Sequence, residues 1–188
     1  MRSYLRRGCF IGVVSACLIV PATAAAQSVI EPRTWTATPF LSASFGTSND
    51  LGGGIGLGAA IGYDLTARLG FEGELGHVFD LLGDDANVDW SLTNVSANAL
   101  YHFDVARITP YATFGLGFER SSPRVKVPDP LALYPGSSTE IAYNFGGGVK
   151  YPINDRFVAR ADLRRFHAND LAPDHWRLSG GLTFWIAR

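Results

Sequence analysis

Beyond its first 26 residues the chain has no cysteine, no apolar run approaching the ~20 residues of a helical membrane span, and no excess of basic charge. Both cysteines, Cys9 and Cys17, lie in the N-terminal leader, so the remaining residues can hold neither a disulfide framework nor a thiolate metal site. Of the 16 Lys and Arg, three (Arg2, Arg6 and Arg7) also lie there, whereas all 17 acidic residues come later. A modestly acidic chain is not built for nucleic acid. The four histidines, His77, His102, His167 and His175, have no H-x-H or H-x-x-x-H spacing and give no zinc signature. Gly52-Gly53-Gly54 and Gly146-Gly147-Gly148 are not followed by a helix, so neither cradles a phosphate. No cofactor and no metal is implied.

What the chain does have is an export leader. Three arginines precede an apolar stretch, Cys9 to Val20, which ends in Pro21 and the small-residue run Ala22-Thr23-Ala24-Ala25-Ala26. This is the n-region, h-region and cleavage site of a secretory signal, with Gln27 as the expected mature N-terminus. The domain expectation is therefore a signal peptide over 1–26 and one domain over 27–188, with no composition break to mark a second. Val14-Ser15-Ala16-Cys17 resembles a lipobox, but apolar sequence continues past Cys17, which argues against lipidation there. Arg6-Arg7 hints at twin-arginine export, which a barrel that crosses the inner membrane unfolded would not use.

Hydrophobic residues make up 47% of the chain, and after the leader they fall on alternate positions between regularly spaced turn residues. Such alternation, behind an export signal, is the pattern of a transmembrane β-barrel. Eight strands are expected, over 33–46, 51–63, 67–80, 89–104, 107–120, 138–151, 155–168 and 174–187. The fold class is all-β, an eight-stranded antiparallel up-and-down transmembrane β-barrel. Tight connections at Asp64-Leu65-Thr66, Val105-Ala106 and Pro152-Ile153-Asn154 alternate with longer polar ones, as periplasmic turns alternate with surface loops. In the fourth strand Trp90-Leu92 and Val95-Ala97-Ala99-Tyr101 run out of phase, which a bulge near Thr93-Asn94 would reconcile.

The two faces read differently. Trp176, Leu178, Leu182, Phe184 and Ile186 share the lipid side of the last strand, and His175, Arg177, Ser179 and Thr183 share the interior. Leu69, Phe71, Leu75 and Phe79 point outward in the third strand, with Arg68, Glu72, Glu74 and Val78 inward. In the seventh, Phe157, Ala159, Ala161 and Leu163 oppose Arg156, Arg160, Asp162 and Arg164. A soluble β-sandwich would reverse these faces, putting the apolar set in a core. Aromatics cluster near strand ends as two interfacial girdles, with Trp35, Tyr63, Tyr101, Phe103, Tyr151, Phe157, Phe184 and Trp185 at the periplasmic end. Phe45, Phe79, Trp90, Phe118, Phe166 and Trp176 are expected at the outer end. Inward glycines at 54, 56, 58, 115, 117, 146 and 148 make room for large partners across the lumen.

The segments Pro110 to Gly117 (PYATFGLG), Asn144 to Tyr151 (NFGGGVKY), Ala161 to Phe166 (ADLRRF) and the closing GGLTFWI resemble the small outer-membrane β-barrel family of the OmpA-barrel and opacity-protein type. The resemblance implies a bacterial outer-membrane location. It also implies contact with outer-membrane lipid and lipopolysaccharide, and delivery by the barrel-assembly machinery. The chain departs from the family at its end, where Ile186-Ala187-Arg188 replaces a terminal aromatic. Such motifs specify architecture and leave function open.

Eight strands enclose only enough space for side chains to fill. Glu72, Glu74, Lys150, Arg160, Asp162, Arg164 and Arg177 would meet there and plug the lumen, or else line a narrow ion path or small-solute site. Lipid A deacylases resemble the chain in architecture and use a Ser-His-acid arrangement near the outer rim. The matching stretch, Phe166-His167-Ala168-Asn169-Asp170, carries Asn169 where a nucleophile is needed; Ser179 is too deep, and Ser121 and Ser122 lack a basic partner. No catalytic residue is expected. His167 and His175 with Asp170 and Asp174 could form a weak cation site, against a simpler reading as solvated loop polarity. The third loop, Ser121 to Ser137, carries four prolines, basic Arg124 and Lys126, and apolar Leu131, Leu133 and Tyr134, which are its contact candidates for a surface ligand. The expected role is envelope integrity or surface interaction without catalysis, with a narrow channel and a lipid-modifying enzyme as alternatives.

Overall fold

A strand whose side chains alternate between apolar and charged has two incompatible faces, and closing the sheet on itself separates them while leaving no unpaired edge. The computed structural model describes residues 30–46, 52–82, 88–103, 108–125, 136–168 and 174–187. They form eight strands: β1 (Thr34–Phe45), β2 (Gly54–Asp64), β3 (Leu69–Leu82), β4 (Val88–His102), β5 (Thr109–Val125), β6 (Ser138–Pro152), β7 (Phe157–Ala168) and β8 (His175–Ala187). Each pairs antiparallel with its sequence neighbours, and β1 pairs with β8 to close the barrel.

Exposure follows strand parity. Leu41, Ile55 and Ile141 on the outer face are 71%, 74% and 62% exposed, while Arg164 inside is 0% exposed. This inverts the arrangement of a soluble sandwich, where such aliphatics would be the core. Among the described residues the buried apolar clusters are correspondingly small; one comprises Val78 and Leu92 with Trp90 packed against it.

The turn end of the barrel gathers the start of β1, the end of β8 and the short connections 65–68, 103–108 and 153–156. Two of these are stitched by side chains that mimic a backbone turn. Thr66 Oγ1 accepts from the amides of Arg68 and Leu69 at 3.2 and 2.9 Å. Asn154 Oδ1 accepts from Arg156 and Phe157, both at 2.9 Å. Arg68 and Arg156, expected in the lumen, are thereby held in exposed turn positions. The opposite, loop end carries the connections 46–53, 83–87, 126–137 and 169–174.

Two further expectations are corrected. No bulge occurs at Thr93-Asn94, because β4 pairs with β5 in unbroken register from Val88↔Val125 to His102↔Tyr111. Leu92 and Trp90 instead keep inward parity, and the irregularity falls on β3, between Val78 and Leu81. The third loop is also shorter than Ser121 to Ser137. Residues 121–125 continue β5 because β4 is long enough to hold them, Leu92 pairing with Ser121 and Val88 with Val125. Leu131, Leu133 and Tyr134 lie outside the described residues, as do Asp170, Val105-Ala106 and the leader.

Candidate functional site

Charged side chains on β3, β7 and β8 meet in the lumen. The i, i+2 period of β7 points Arg160, Asp162 and Arg164 inward in a column, each buried. Arg160 forms a two-pronged pair with Glu72 and, through Nε, lies 3.0 Å from Asp162 Oδ2. Arg164 reaches three carboxylates, Glu72 at 3.1 Å, Asp162 at 3.0 Å and Glu74 at 3.0 Å. Arg177 of β8 pairs with Glu74 and donates to Asn94 Oδ1 at 3.0 Å, and Asn94 donates in turn to Glu74 at 3.2 Å. Three guanidinium groups and three carboxylates thus form one continuous, charge-balanced network that bridges non-adjacent strands. Mutual pairing of this kind is what makes buried charge tolerable, although Arg177 Nε has no hydrogen-bond partner among the described residues.

Six of the seven expected network residues belong to it; Lys150 does not. Its ammonium sits nearer the turn end and donates to His102 Nε2 at 3.0 Å, a separate pair. Sequence reasoning missed Tyr111, Asn94 and His102 in the lumen, and it read Ser179 as inward without placing it in the network. The Tyr111 hydroxyl accepts from Arg160 Nε at 2.8 Å and donates to Asp162 at 2.9 Å, and Ser179 donates to Asp162 at 3.0 Å. Tyr111 stands two residues before inward Thr113 and four before inward Gly115, so parity alone would have found it. The inward glycines do admit these partners. A Cβ on Gly115 would collide with Asn98 Oδ1 and Asn144 Nδ2, and one on Gly58 with the Phe40 ring.

Toward the loop end the lumen turns aromatic. Phe166 is 2% exposed, stacked on His175 at 5.0 Å and capped by the Arg177 guanidinium at 4.5 Å. It therefore belongs to the interior and not to the outer girdle, as does Trp90, because both keep the inward parity of their strands. The girdle at the turn end is real, with Trp35 on Tyr63 at 5.0 Å and Tyr101 on Phe103 at 5.2 Å. Glu119 closes this upper section at 3.8 Å from His175 Nδ1.

His167 and His175 do not converge, since odd positions of β7 face outward whereas odd positions of β8 face the lumen. His167 Nδ1 lies 2.7 Å from Asp174 Oδ1 on the outer rim. Asp174 Oδ2 also takes Arg165 Nη2 at 3.1 Å, and Arg165 lies over the Trp176 ring at 5.7 Å and donates to the Gly46 carbonyl at 3.2 Å. An oriented histidine is half of a nucleophilic triad. The serines do not complete it: Ser179 is engaged with Asp162 inside the barrel, Ser121 is buried there too, and Ser122 lies two strands away on β5. Among the described residues no group of three or more His, Asp and Glu could hold a metal.

A closed eight-stranded barrel with a charged lumen and an aliphatic exterior matches a known family model, the outer membrane protein beta-barrel domain, over residues 13–184. The chain belongs to that family. Its location is accordingly the bacterial outer membrane. Among solved structures the barrel is similar to Neisserial surface protein A (NspA), at 21% identity and a TM-score of 0.63, covering 80% of this chain and 96% of that one. The N-terminal barrel of Pseudomonas aeruginosa OprF aligns at 21% identity and a TM-score of 0.52, covering 82% and 100%. Ail, the attachment invasion locus protein of Yersinia pestis, aligns at 14% and 0.55, covering 81% and 99%. At these identities the likeness is one of fold. Among curated proteins no relative matches.

Proposed function

We propose that this outer-membrane barrel is a non-enzymatic anchor, exported with a cleaved leader, that supports the envelope or contacts its surroundings through the loop end. The single observation behind this reading is the interlocked network of Glu72, Glu74, Asp162, Arg160, Arg164 and Arg177, which commits these interior charges to one another instead of to a ring that could guide an ion. A barrel shut in this way presents chemistry only at its surface, where the loops and lipopolysaccharide meet.

Planar-bilayer recording tests the reading: the refolded barrel should give no steady conductance. A conductance altered by Glu72→Ala or Arg160→Ala would establish the channel instead. Fatty acid released from lipopolysaccharide, and lost on His167→Ala, would establish an enzyme. Loss of surface binding on trimming Leu131 to Pro135, with the barrel intact, would place the contact on the third loop.

A further inference from the structure

The outward side of β7 and β8 at the loop end differs from the lipid face below it, while on neighbouring β6 apolar Ile141 still stands above Tyr143. Leu163 pairs with Leu178, both exposed, as part of the aliphatic belt. One outward position higher the character changes to Arg165 and Trp176, which also pair, and one above that to His167, whose ring lies 4.9 Å from that of Tyr143. A guanidinium, an imidazole and two amphipathic aromatics directly above an aliphatic belt sit at the level of lipid headgroups.

These side chains are held in place. Arg165 is fixed by the Gly46 carbonyl, the Asp174 carboxylate and the Trp176 face, yet these use only one hydrogen on each terminal nitrogen. Its Nε–H and the remaining terminal hydrogens have no partner among the described residues. Asp174 also fixes the His167 ring through Nδ1, which leaves Nε2 directed away from the carboxylate on a side chain 42% exposed. Arg165 keeps N–H donors free, and the imidazolium form of His167, its Nδ1–H held by Asp174, donates from Nε2, so that the two form a fork for a phosphate group.

We propose that Arg165 and His167 bind a phosphate of an outer-leaflet lipid headgroup, with Trp176 and Tyr143 flanking it and Asp174 as the positioning residue. This goes beyond the anchoring role and rests on the loop end facing outward. The site is built from strand residues of β6, β7 and β8 and from Asp174 beside them, so it does not depend on the third loop.

The barrel purified in mild detergent would be exposed to phosphorylated lipopolysaccharide, to the same glycolipid after dephosphorylation, and to inorganic phosphate, and retained lipid would be counted by native mass spectrometry. The expected result is retention of the phosphorylated glycolipid, about tenfold weaker after dephosphorylation, and weakened as much by Arg165→Gln or His167→Gln. Inorganic phosphate alone should not displace it. Equal retention of both glycolipids, or undiminished retention by both variants, would overturn the site, as would displacement by inorganic phosphate or release of fatty acid. A heat-dependent gel shift confirms that each variant is a closed barrel, and Arg165→Lys, keeping the charge without the fork, should recover only part of the retention. Labelling of a cysteine placed at exposed Gly136 in intact cells reports whether the loop end faces outward, which separates failure of the site from failure of the orientation.

Discussion

Arg164 is fully buried yet meets three carboxylates on two strands, so its removal leaves Glu72, Glu74 and Asp162 with less compensation than any other single change. Arg164→Met should destabilise the folded barrel by about 3–5 kcal/mol in urea unfolding followed by tryptophan fluorescence. Replacing Glu72 and Arg160 together with neutral residues of similar volume should cost less than either alone, since no charge is then stranded. Glycines offer a second contrast. Gly115→Ala should cost about 1–3 kcal/mol, because its methyl would overlap two asparagine side chains, whereas Gly73→Ala should be close to neutral, with nothing within 4 Å of the added carbon. At this scale the sequence shows which residues are inside but not which of them touch. Glu72, Arg160 and Arg177 are legible as inward from their neighbours in their own strands. That Lys150 meets His102 instead of joining the network depends on its height in the barrel, which the register of the strands decides. For Phe166 and Trp90 residue type points to a girdle and parity to the lumen, and parity wins.

At the level of the strand, alternation is so regular on β7 and β8 that boundaries and faces are readable to within a residue or two. β4 and β5 are harder, because Trp90 and Leu92 are apolar residues on an inward face. They look out of phase only if the lumen is assumed to be polar throughout; near the loop end it is lined by Val78, Leu92 and Phe166. β5 also ends later than its composition suggests. Ser121, Ser122 and Pro123 read as loop, yet each has a partner on β4, and Pro123 is the residue opposite Trp90. Beyond Ser121↔Ser138 the strand is no longer paired with β6, so Pro123 sits on an edge, where its missing donor costs little. Limited trypsin digestion of the reconstituted barrel should therefore cut after Lys126, in the third connection, in preference to Arg124 within β5. Equal cutting at both would contradict the extended hairpin.

For the whole molecule, closure is the property that everything else needs. Alternation, turn spacing and an even strand number make the barrel legible from sequence; the choice between a plug and a passage is not, because it depends on whether opposed charges find each other across the lumen. Boiling should shift the refolded chain on a gel and abolish its β-type circular dichroism signature, while the unboiled species stays compact. A chain that stayed soluble without detergent and showed no shift would be incompatible with an exterior on which Leu41 and Ile55 stand more than two-thirds exposed.

The β4–β5 hairpin has a consequence for approach from outside. With 15 and 17 residues, and 14 and 15 in flanking β3 and β6, against 12 in β1, 11 in β2, 12 in β7 and 13 in β8, these strands make the crown of the barrel a slope instead of a level ring. A large visitor such as an antibody, a phage fibre or a neighbouring cell's glycan would find a parapet on one flank and a low threshold on the other. Arg165, His167 and Trp176 stand at the threshold, where the membrane surface and the open approach coincide.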